Sequence, residues 1–353
     1  MKNVHVAAGK PYDVLIERGL IAEVGEILKG TLGKTCKAAI LTDDTVDALY
    51  GQQVEYSLRQ SGFEVCRFAM PHGEENKNLA IWATMLDFLA QNQLTRSDVI
   101  VALGGGVVGD MSGFAAASYL RGIRFMQIPT TLLAMVDSSV GGKTGLNLPS
   151  GKNLAGAFYQ PVKVLCDPDT LWTLKPEQLA DGVAEVIKYG VLGDEAMFEL
   201  LKSGKWHDEM LSVIEKCVRA KARLVEEDER DTGSRQLLNL GHTLGHAIER
   251  CSRYDISHGH AVAIGMVYAA RLAEKMELCG DDVCARVKEC LIANHLPVSA
   301  PYSAQELCSV ALSDKKRTGG TMTFVLPQAI GQCSLVKVDV SELLSIIEKA
   351  ITE

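Results

Sequence analysis

Across residues 1–172 short apolar runs alternate with segments of helical period, and beyond them the apolar runs all but vanish. That change of period constrains the fold more than any single motif. A strand covered on both faces reads as an unbroken apolar run. A helix packed on one side shows apolar residues three or four apart. Residues 37–42, 63–69, 98–103 and 124–128 are of the first kind. Residues 20–29, 45–61 and 77–91 are of the second, with Leu79, Trp82, Leu86 and Leu89 along one side of the last. Such alternation specifies a mostly parallel sheet layered with helices. Residues 1–17 add a hairpin about Gly9-Lys10-Pro11. Later segments at 176–190, 194–203, 208–230, 236–251, 259–278, 281–294 and 303–312 all read as helices. A hairpin at 321–326 and 331–338 and a last helix from Ser341 complete the chain. The expectation is an α/β N-terminal domain, residues 1–172, with a Rossmann-like, mostly parallel sheet, and a mainly α-helical C-terminal domain, residues 173–353.

With 353 residues, 47% of them hydrophobic, the chain has enough apolar surface for two cores. The net charge of −8 and the absence of a basic stripe argue against nucleic acid as a partner. Local clusters of Lys and Arg must then serve something small and anionic. Ten cysteines are scattered without CxxC pairs, which predicts reduced thiols and a cytoplasmic setting. No apolar run reaches the roughly eighteen residues of a membrane span, and the N-terminus carries no cleavable leader pattern.

Gly104-Gly105-Gly106-Val107-Val108-Gly109-Asp110 follows an apolar strand and opens a helix, fulfilling G-x-G-x-x-G. In that context the glycines admit a pyrophosphate to backbone N–H groups at a helix N-terminus. The alternative is a tight turn requiring positive φ. No acidic residue follows about twenty positions on, as the dinucleotide fingerprint requires. Acidic groups for ribose hydroxyls stand upstream instead, at Asp43-Asp44 and Glu74, so the strand order should not be the usual Rossmann one. Residues 129–153 mix glycines, hydroxyls and charges, the composition of a backbone wrapped around a phosphorylated or polyhydroxylated ligand, or of a flexible surface loop. Gly141-Gly-Lys-Thr144 is not a P-loop, because position 137 holds Asp where that motif needs Gly.

His242 and His246 are one helical turn apart, and His258 and His260 follow within the same short stretch. Two imidazoles on one helix and another across a turn suit a catalytic divalent metal, given a carboxylate from elsewhere. Surface or capping roles are the alternative. Glu185, one turn before Lys188 in an apolar helix, is the best candidate for that carboxylate. Lys221 and Arg223 lie on a heavily charged helix, and Arg235 stands four residues before Asn239. The run 314–317 reads either as a solvated turn or as a phosphate clamp.

Taken together, Tyr119-Leu-Arg121-Gly, Pro129-Thr-Thr-Leu-Leu-Ala, Val136-Asp-Ser-Ser-Val-Gly-Gly-Lys143, Gly151-Lys-Asn153, Ala184-Glu-Val-Ile-Lys-Tyr-Gly190 and Asn239-Leu-Gly-His-Thr-Leu-Gly-His246 resemble the 3-dehydroquinate synthases of the sugar-phosphate cyclase superfamily. The resemblance spans roughly 43–316. It implies a lyase of the shikimate pathway, on the route to aromatic amino acids, that converts 3-deoxy-D-arabino-heptulosonate 7-phosphate to 3-dehydroquinate and phosphate. It also implies NAD and Zn2+, with Co2+ as an alternative ion, held in a cleft between the two domains, and a cytoplasmic homodimer. The family's chemistry is transient oxidation by NAD, β-elimination of phosphate, re-reduction, ring opening and intramolecular aldol closure. Carried over by position, the metal ligands are Glu185, His242 and His258. Spacing alone would have chosen His246, which the resemblance assigns to substrate. The cofactor set is Asp43, Glu74, Lys77, Gly105, Gly106, Val107, Val108, Gly109, Asp110, Thr130, Thr131, Lys143, Lys152, Thr170, Leu171, Trp172 and Thr173. Substrate contacts and catalysis fall to Asp137, Lys143, Asn153, Lys188, Lys221, Arg235, Asn239, His246 and Lys315, with Arg121 reaching the phosphate bound in the neighbouring subunit.

The chain departs from the family pattern at His260 and Asp231, where Glu is usual. Three rivals remain at this point. A metal- and NAD-dependent polyol dehydrogenase would not need so many cations. Cyclases acting on glucose 6-phosphate or sedoheptulose 7-phosphate lack the substrate carboxylate that Arg235, Asn239 and Lys315 suit. A silent binding protein would not keep the whole ligand set.

Overall fold

The structure is a computed structural model. It describes residues 1–315 and 320–352, except the side chains of 313–315. The chain divides into two compact units, Met1–Leu174 with Ile214–Arg230, and Lys175–Val213 with Asp231–Glu353. Residues 214–230, read from sequence as part of the helical half, group with the first unit.

The first unit is built on seven strands: β1 (Lys2–Val6), β2 (Tyr12–Ile16), β3 (Lys37–Asp43), β4 (Glu64–Met70), β5 (Val99–Gly104), β6 (Arg124–Pro129) and, after the strands β7 (Lys143–Leu148) and β8 (Gly151–Phe158) of a separate hairpin, β9 (Lys163–Cys166). Their order is β1-β2-β9-β6-β5-β3-β4, with β1 antiparallel to β2 and all other neighbours parallel. Counted along the chain, β3, β4, β5, β6 and β9 lie in space as second, first, third, fourth, fifth. This is the flavodoxin-like order rather than the Rossmann one, as the misplaced acidic residues led one to expect. The chain reverses direction across the sheet between β3 and β5, so Asp43 and Gly104 end the two strands at the switch point. Period-two alternation feeds two apolar layers. Ala38, Ile40, Val99, Val101 and Leu103 pack with Val24, Leu28, Val54 and Leu58. Ala39, Leu41 and Ile100 pack with Leu89, Ala115 and Ala116.

Residues 143–158 correct the expectation of a polar loop. They form the antiparallel hairpin β7–β8. Gly145 pairs with Gly156, and a Cβ on Gly156 would stand 2.1 Å from the Thr144 carbonyl oxygen. The glycines are there for close strand approach, which hides the strand from a propensity reading. The four-residue β9 is too short to show a period in the sequence.

In the second unit, helices Pro176–Gly193, His242–Cys251 and His258–Lys275 carry the titratable cluster. The last is buried almost throughout from Gly259 to Ala273. Small residues let it come close to its neighbours. A Cβ on Gly265 would lie 2.0 Å from the Gly241 carbonyl oxygen, and one on Gly259 would lie 2.3 Å from the Asp181 Cα. Sequence placed 236–251 in one helix. The structure breaks it into a 3-10 turn, Ser234–Asn239, and an α-helix begun by left-handed Gly241 at φ 78. A second hairpin joins β10 (Thr321–Ala329) to β11 (Gln332–Asp339), as expected. No helix among the described residues is long and apolar enough to cross a membrane, and all ten cysteines are free thiols.

Two outcomes test these packing arguments. Gly265→Ala should lower unfolding free energy by about 2 kcal/mol or more, read from the urea midpoint, because backbone cannot yield to the added methyl. In the first unit, Asp98 accepts from Thr95 N (2.6 Å), Thr95 Oγ1 (2.8 Å) and Lys37 N (2.9 Å). Burial alone would raise its pKa, but these bonds together hold it below the ordinary 3.8. A depressed folded pKa means stability present above that ordinary value and lost as pH falls through the folded one. Asp98→Asn should therefore be less stable than wild type by about 2 kcal/mol at neutral pH, with the gap closing below pH ~4.

Candidate functional site

Glu185 stands mid-helix in Pro176–Gly193, His242 is the first residue of its helix, and His258 begins the next. Glu185 is fully buried. Its Oε1 lies 3.6 Å from His242 Nε2 and 3.3 Å from His258 Nε2. Two ligands about 2.1 Å from a tetrahedral ion stand about 3.4 Å apart, so these spacings are those of one coordination sphere. All three ligand atoms lie within 4.8 Å of one another. Each imidazole is oriented through its other nitrogen. His242 Nδ1 donates to the Leu240 carbonyl at 3.0 Å, and His258 Nδ1 donates to Glu249 Oε2 at 3.3 Å. These bonds leave both Nε2 atoms facing Glu185, the arrangement that backs metal-bound histidines.

The two imidazoles differ in their electrostatics. Burial first, then the Lys188 ammonium, hold the His242 pKa well below the ordinary imidazole value, so its Nε2 lone pair is free at neutral pH. Burial works the same way on His258, but hydrogen bonds to Glu185 and Glu249 outweigh it and raise its pKa. Lys188, 1% exposed, forms an ion pair with Glu185 Oε2 and lies over the Tyr189 ring. His246 is exposed, its ring 5.3 Å from that of His242 and 5.9 Å from that of His258. His246, Glu249 and His258 make a second, shallower metal-compatible group. Arg235 is buried in the preceding 3-10 turn, which ends at Asn239. Lys315 closes the helix Ala304–Lys315, and its side chain lies outside the described residues.

The two departures have local explanations. His260 Nδ1 bonds Asp181 Oδ1 (2.9 Å) and Ser257 Oγ (2.8 Å), and its N–H donates to the same carboxylate oxygen (3.1 Å). It is outside both metal-compatible groups, and Glu249 supplies the carboxylate behind His258. Asp231 sits at φ 58, a left-handed conformation that Asp adopts more readily than Glu.

In the first unit, Gly104, Gly105 and Gly106 all keep negative or extended φ, so the turn does not require left-handed backbone. They are needed for space. A Cβ on Gly104 would lie 2.6 Å from Val108, one on Gly105 3.2 Å from Thr131, and one on Gly109 2.7 Å from Gln127 Oε1. The helix Gly106–Ser118 thus presents a bare N-terminal turn containing Val107 and Val108. Beside it Lys77 Nζ, buried, meets Asp110 Oδ2 and Asn153 Oδ1, each at 2.6 Å. Coulombic attraction to Asp110 and Glu74 overcomes burial and raises the Lys77 pKa, so the ammonium stays charged. Lys152 lies 3.9 Å from Glu74. Asp43 caps the segment after β3 by accepting from Val46 N at 2.9 Å. Thr130 N donates to the Gly104 carbonyl, and Thr131 Oγ1 accepts from Ala134 N. In the 3-10 segment Pro168–Thr173, the Thr173 and Tyr50 hydroxyls meet at 2.8 Å, Leu171 is buried and Trp172 is exposed under Arg18. Lys221 Nζ donates to the Asp137 carbonyl at 2.5 Å and lies 3.0 Å from its carboxylate, while Lys143 is exposed on β7. Arg121 is exposed in a strained turn, with Leu120, Arg121 and Gly122 at φ 51, 65 and 128. Two side chains that this geometry singles out, Glu249 and Asn147, carry no motif signal of their own. Glu249 could have been noticed only as the carboxylate one turn past His246.

The fold recurs in two solved synthases. One is 2-epi-5-epi-valiolone synthase from Streptomyces hygroscopicus, solved with NAD+ and Zn2+ (TM-score 0.86, 27% identity, 96% of each chain covered). The other is 2-deoxy-scyllo-inosose synthase complexed with carbaglucose-6-phosphate, NAD+ and Co2+ (TM-score 0.86, 24% identity, 99% of each chain). The class is that of the sugar-phosphate cyclases. Within it, the family described as 3-dehydroquinate synthase matches through its N-terminal part at residues 67–181 and its C-terminal part at 182–317. A 3-dehydroquinate synthase of Streptococcus suis is 44% identical over 345 residues, 96% of this chain and 97% of that one. The chain belongs to the 3-dehydroquinate synthase family.

Metal analysis checks the carboxylate–imidazole geometry. The purified protein should carry about one divalent ion per chain, and His242→Ala should lose it. Glu249→Gln, which removes the charge behind His258, should weaken metal affinity by about 10–100-fold in a chelator competition.

Proposed function

We propose that this enzyme converts 3-deoxy-D-arabino-heptulosonate 7-phosphate to 3-dehydroquinate and inorganic phosphate, the carbocycle-forming step of the shikimate pathway. One observation carries the reading. In a chain of this family, Glu185, His242 and His258 converge at the spacing of a single coordination sphere. The donor set, one carboxylate and two imidazoles with their outer nitrogens anchored, fits a catalytic divalent ion such as Zn2+. The bare helix N-terminus after Gly105, with Asp43 and Glu74 nearby in sequence order of the sheet, fits NAD+ at a flavodoxin-like switch point. When bound, the metal acidifies substrate hydroxyls and NAD+ takes up and returns a hydride.

The remaining work belongs to the protein's own side chains. Gly105, Gly106 and the helix they open hold the pyrophosphate, and Asp43 and Glu74 accept from ribose hydroxyls. Lys77 fixes the Asn153 amide by donating to Oδ1, which turns the Asn153 NH2 outward as a donor to substrate. Lys221, itself held by Asp137, and Lys143, Lys152 and Lys188 neutralise phosphate and carboxylate charge. Arg235 grips an anion through its guanidinium fork. Lys188 also pairs with Glu185 Oε2 and offsets the charge of that buried carboxylate. His246, exposed one turn beyond His242, bonds the substrate. Orientation and charge neutralisation lower the barrier for elimination and ring closure. The active form is a cytoplasmic homodimer in which Arg121, held outward by its left-handed turn, serves the phosphate of the neighbouring subunit.

Supplied with the heptulosonate phosphate, NAD+ and Zn2+, the enzyme should release one phosphate per turnover with no net build-up of NADH. NADH accumulating in step with substrate loss would overturn the reading in favour of a dehydrogenase.

A further inference from the structure

Asn147 belongs to none of the contacts carried over from the family resemblance, yet it is bonded to three residues that are. The ladder between β7 and β8 is regular from Lys143 to Leu146. It then shifts register between the pairs Leu146–Ala155 and Leu148–Gly151, so Asn147 lies opposite a bulge in β8 that contains Asn153. A bulge disrupts the ladder locally and leaves the residue opposite it without a regular cross-strand partner. Here the Asn147 N–H donates to the Lys77 carbonyl oxygen at 2.8 Å. The side chain bonds at both ends. Its Oδ1 accepts from Asn153 N at 2.8 Å, and its Nδ2 donates to Glu74 Oε1 at 2.8 Å. Asn153 stands at φ 54, a conformation that costs energy unless neighbours hold it. Lys77 in turn ties Asn153 Oδ1 to Asp110. One amide therefore links the 3-10 turn at Glu74–Asn76 to the tip of the β7–β8 hairpin.

We propose that Asn147 is a positioning residue. It sets the Glu74 carboxylate for the cofactor ribose and the Asn153 backbone for substrate, and so couples the two binding events. The inference rests on the reading of Glu74 and Asn153 in the proposed function. An amide is required because the site asks for one acceptor and one donor from the same planar group. A carboxylate of the same shape keeps the acceptor but turns a second negative charge toward Glu74.

The test is NAD+ binding to the metal-loaded enzyme by titration calorimetry, with metal content and thermal midpoint measured alongside. Asn147→Asp should weaken NAD+ binding by about tenfold or more, the scale of a lost hydrogen bond to a charged group, while the metal stays bound and the midpoint stays near that of wild type. In a Glu74→Gln background the same substitution should cost only about twofold, because a glutamine amide can donate back to the new carboxylate. Equal fold-losses in both backgrounds, or wild-type affinity in N147D, overturn the inference. Loss of metal or a large fall in midpoint, in proportion to the loss of affinity, also overturns it by showing a purely structural role. Should N147D not fold, N147S removes the donor without adding charge and should show the same loss of NAD+ affinity. Wild-type enzyme that binds no NAD+ overturns the functional reading and this inference with it. Normal wild-type binding alongside unaffected Asn147 variants overturns this inference alone.

Discussion

How near one helix backbone can come to another sets the geometry of the second unit. Helix His258–Lys275 meets the start of helix His242–Cys251 at Gly265 and Gly241, and meets Pro176–Gly193 at Gly259 and Asp181, in each case with no room for a Cβ. His258 and Glu185 are each within one turn of the Gly259–Asp181 contact. A methyl group there would separate the helices by more than the few tenths of an ångström that a shared ion tolerates. The metal-compatible triangle is thus a by-product of packing. Its three donors come from three helices, and each donor is as well placed as its helix.

Electrostatics then decides what the triangle can hold. A buried carboxylate with no compensation is prohibitively costly. Glu185 faces Lys188 on one side and two imidazoles on the other. The outer bonds to Leu240 and Glu249 fix which nitrogen of each ring looks inward. The first unit solves a similar problem with Lys77, whose buried charge is answered by Asp110 and whose remaining hydrogen bond orients Asn153. In both units a buried lysine pairs with a carboxylate at the site.

The α/β layering could be read directly, because strands such as Ala38–Leu41 alternate between two apolar layers and their covering helices keep a clean helical period. The Gly104–Gly109 turn was legible as a feature, but its physical cause was not. The glycines answer to the side chains of Val108, Thr131 and Gln127, which are distant or hidden in a one-dimensional reading, and not to positive φ. The β7–β8 hairpin was invisible for the same reason: Gly145 and Gly156 oppose each other across it and erase the β signal. Glu249 and Asn147 give no local signal of a role, because an acid in a helix and an amide in a polar run are ordinary until their partners are known.

By itself the sequence determined the order of elements, the separation into a layered part and a helical part, and, through its motifs, the family. These depend on local period and on strings of adjacent residues. Only the tertiary structure decided that the Nε2 atoms of His242 and His258 both face the buried Glu185, that His260 turns to Asp181 and not to the metal-compatible group, and that Asn147 ties Glu74 to Asn153. Each of those outcomes depends on a distance between residues far apart in the chain, set by how closely glycine-lined backbones pack. No local pattern encodes such a distance.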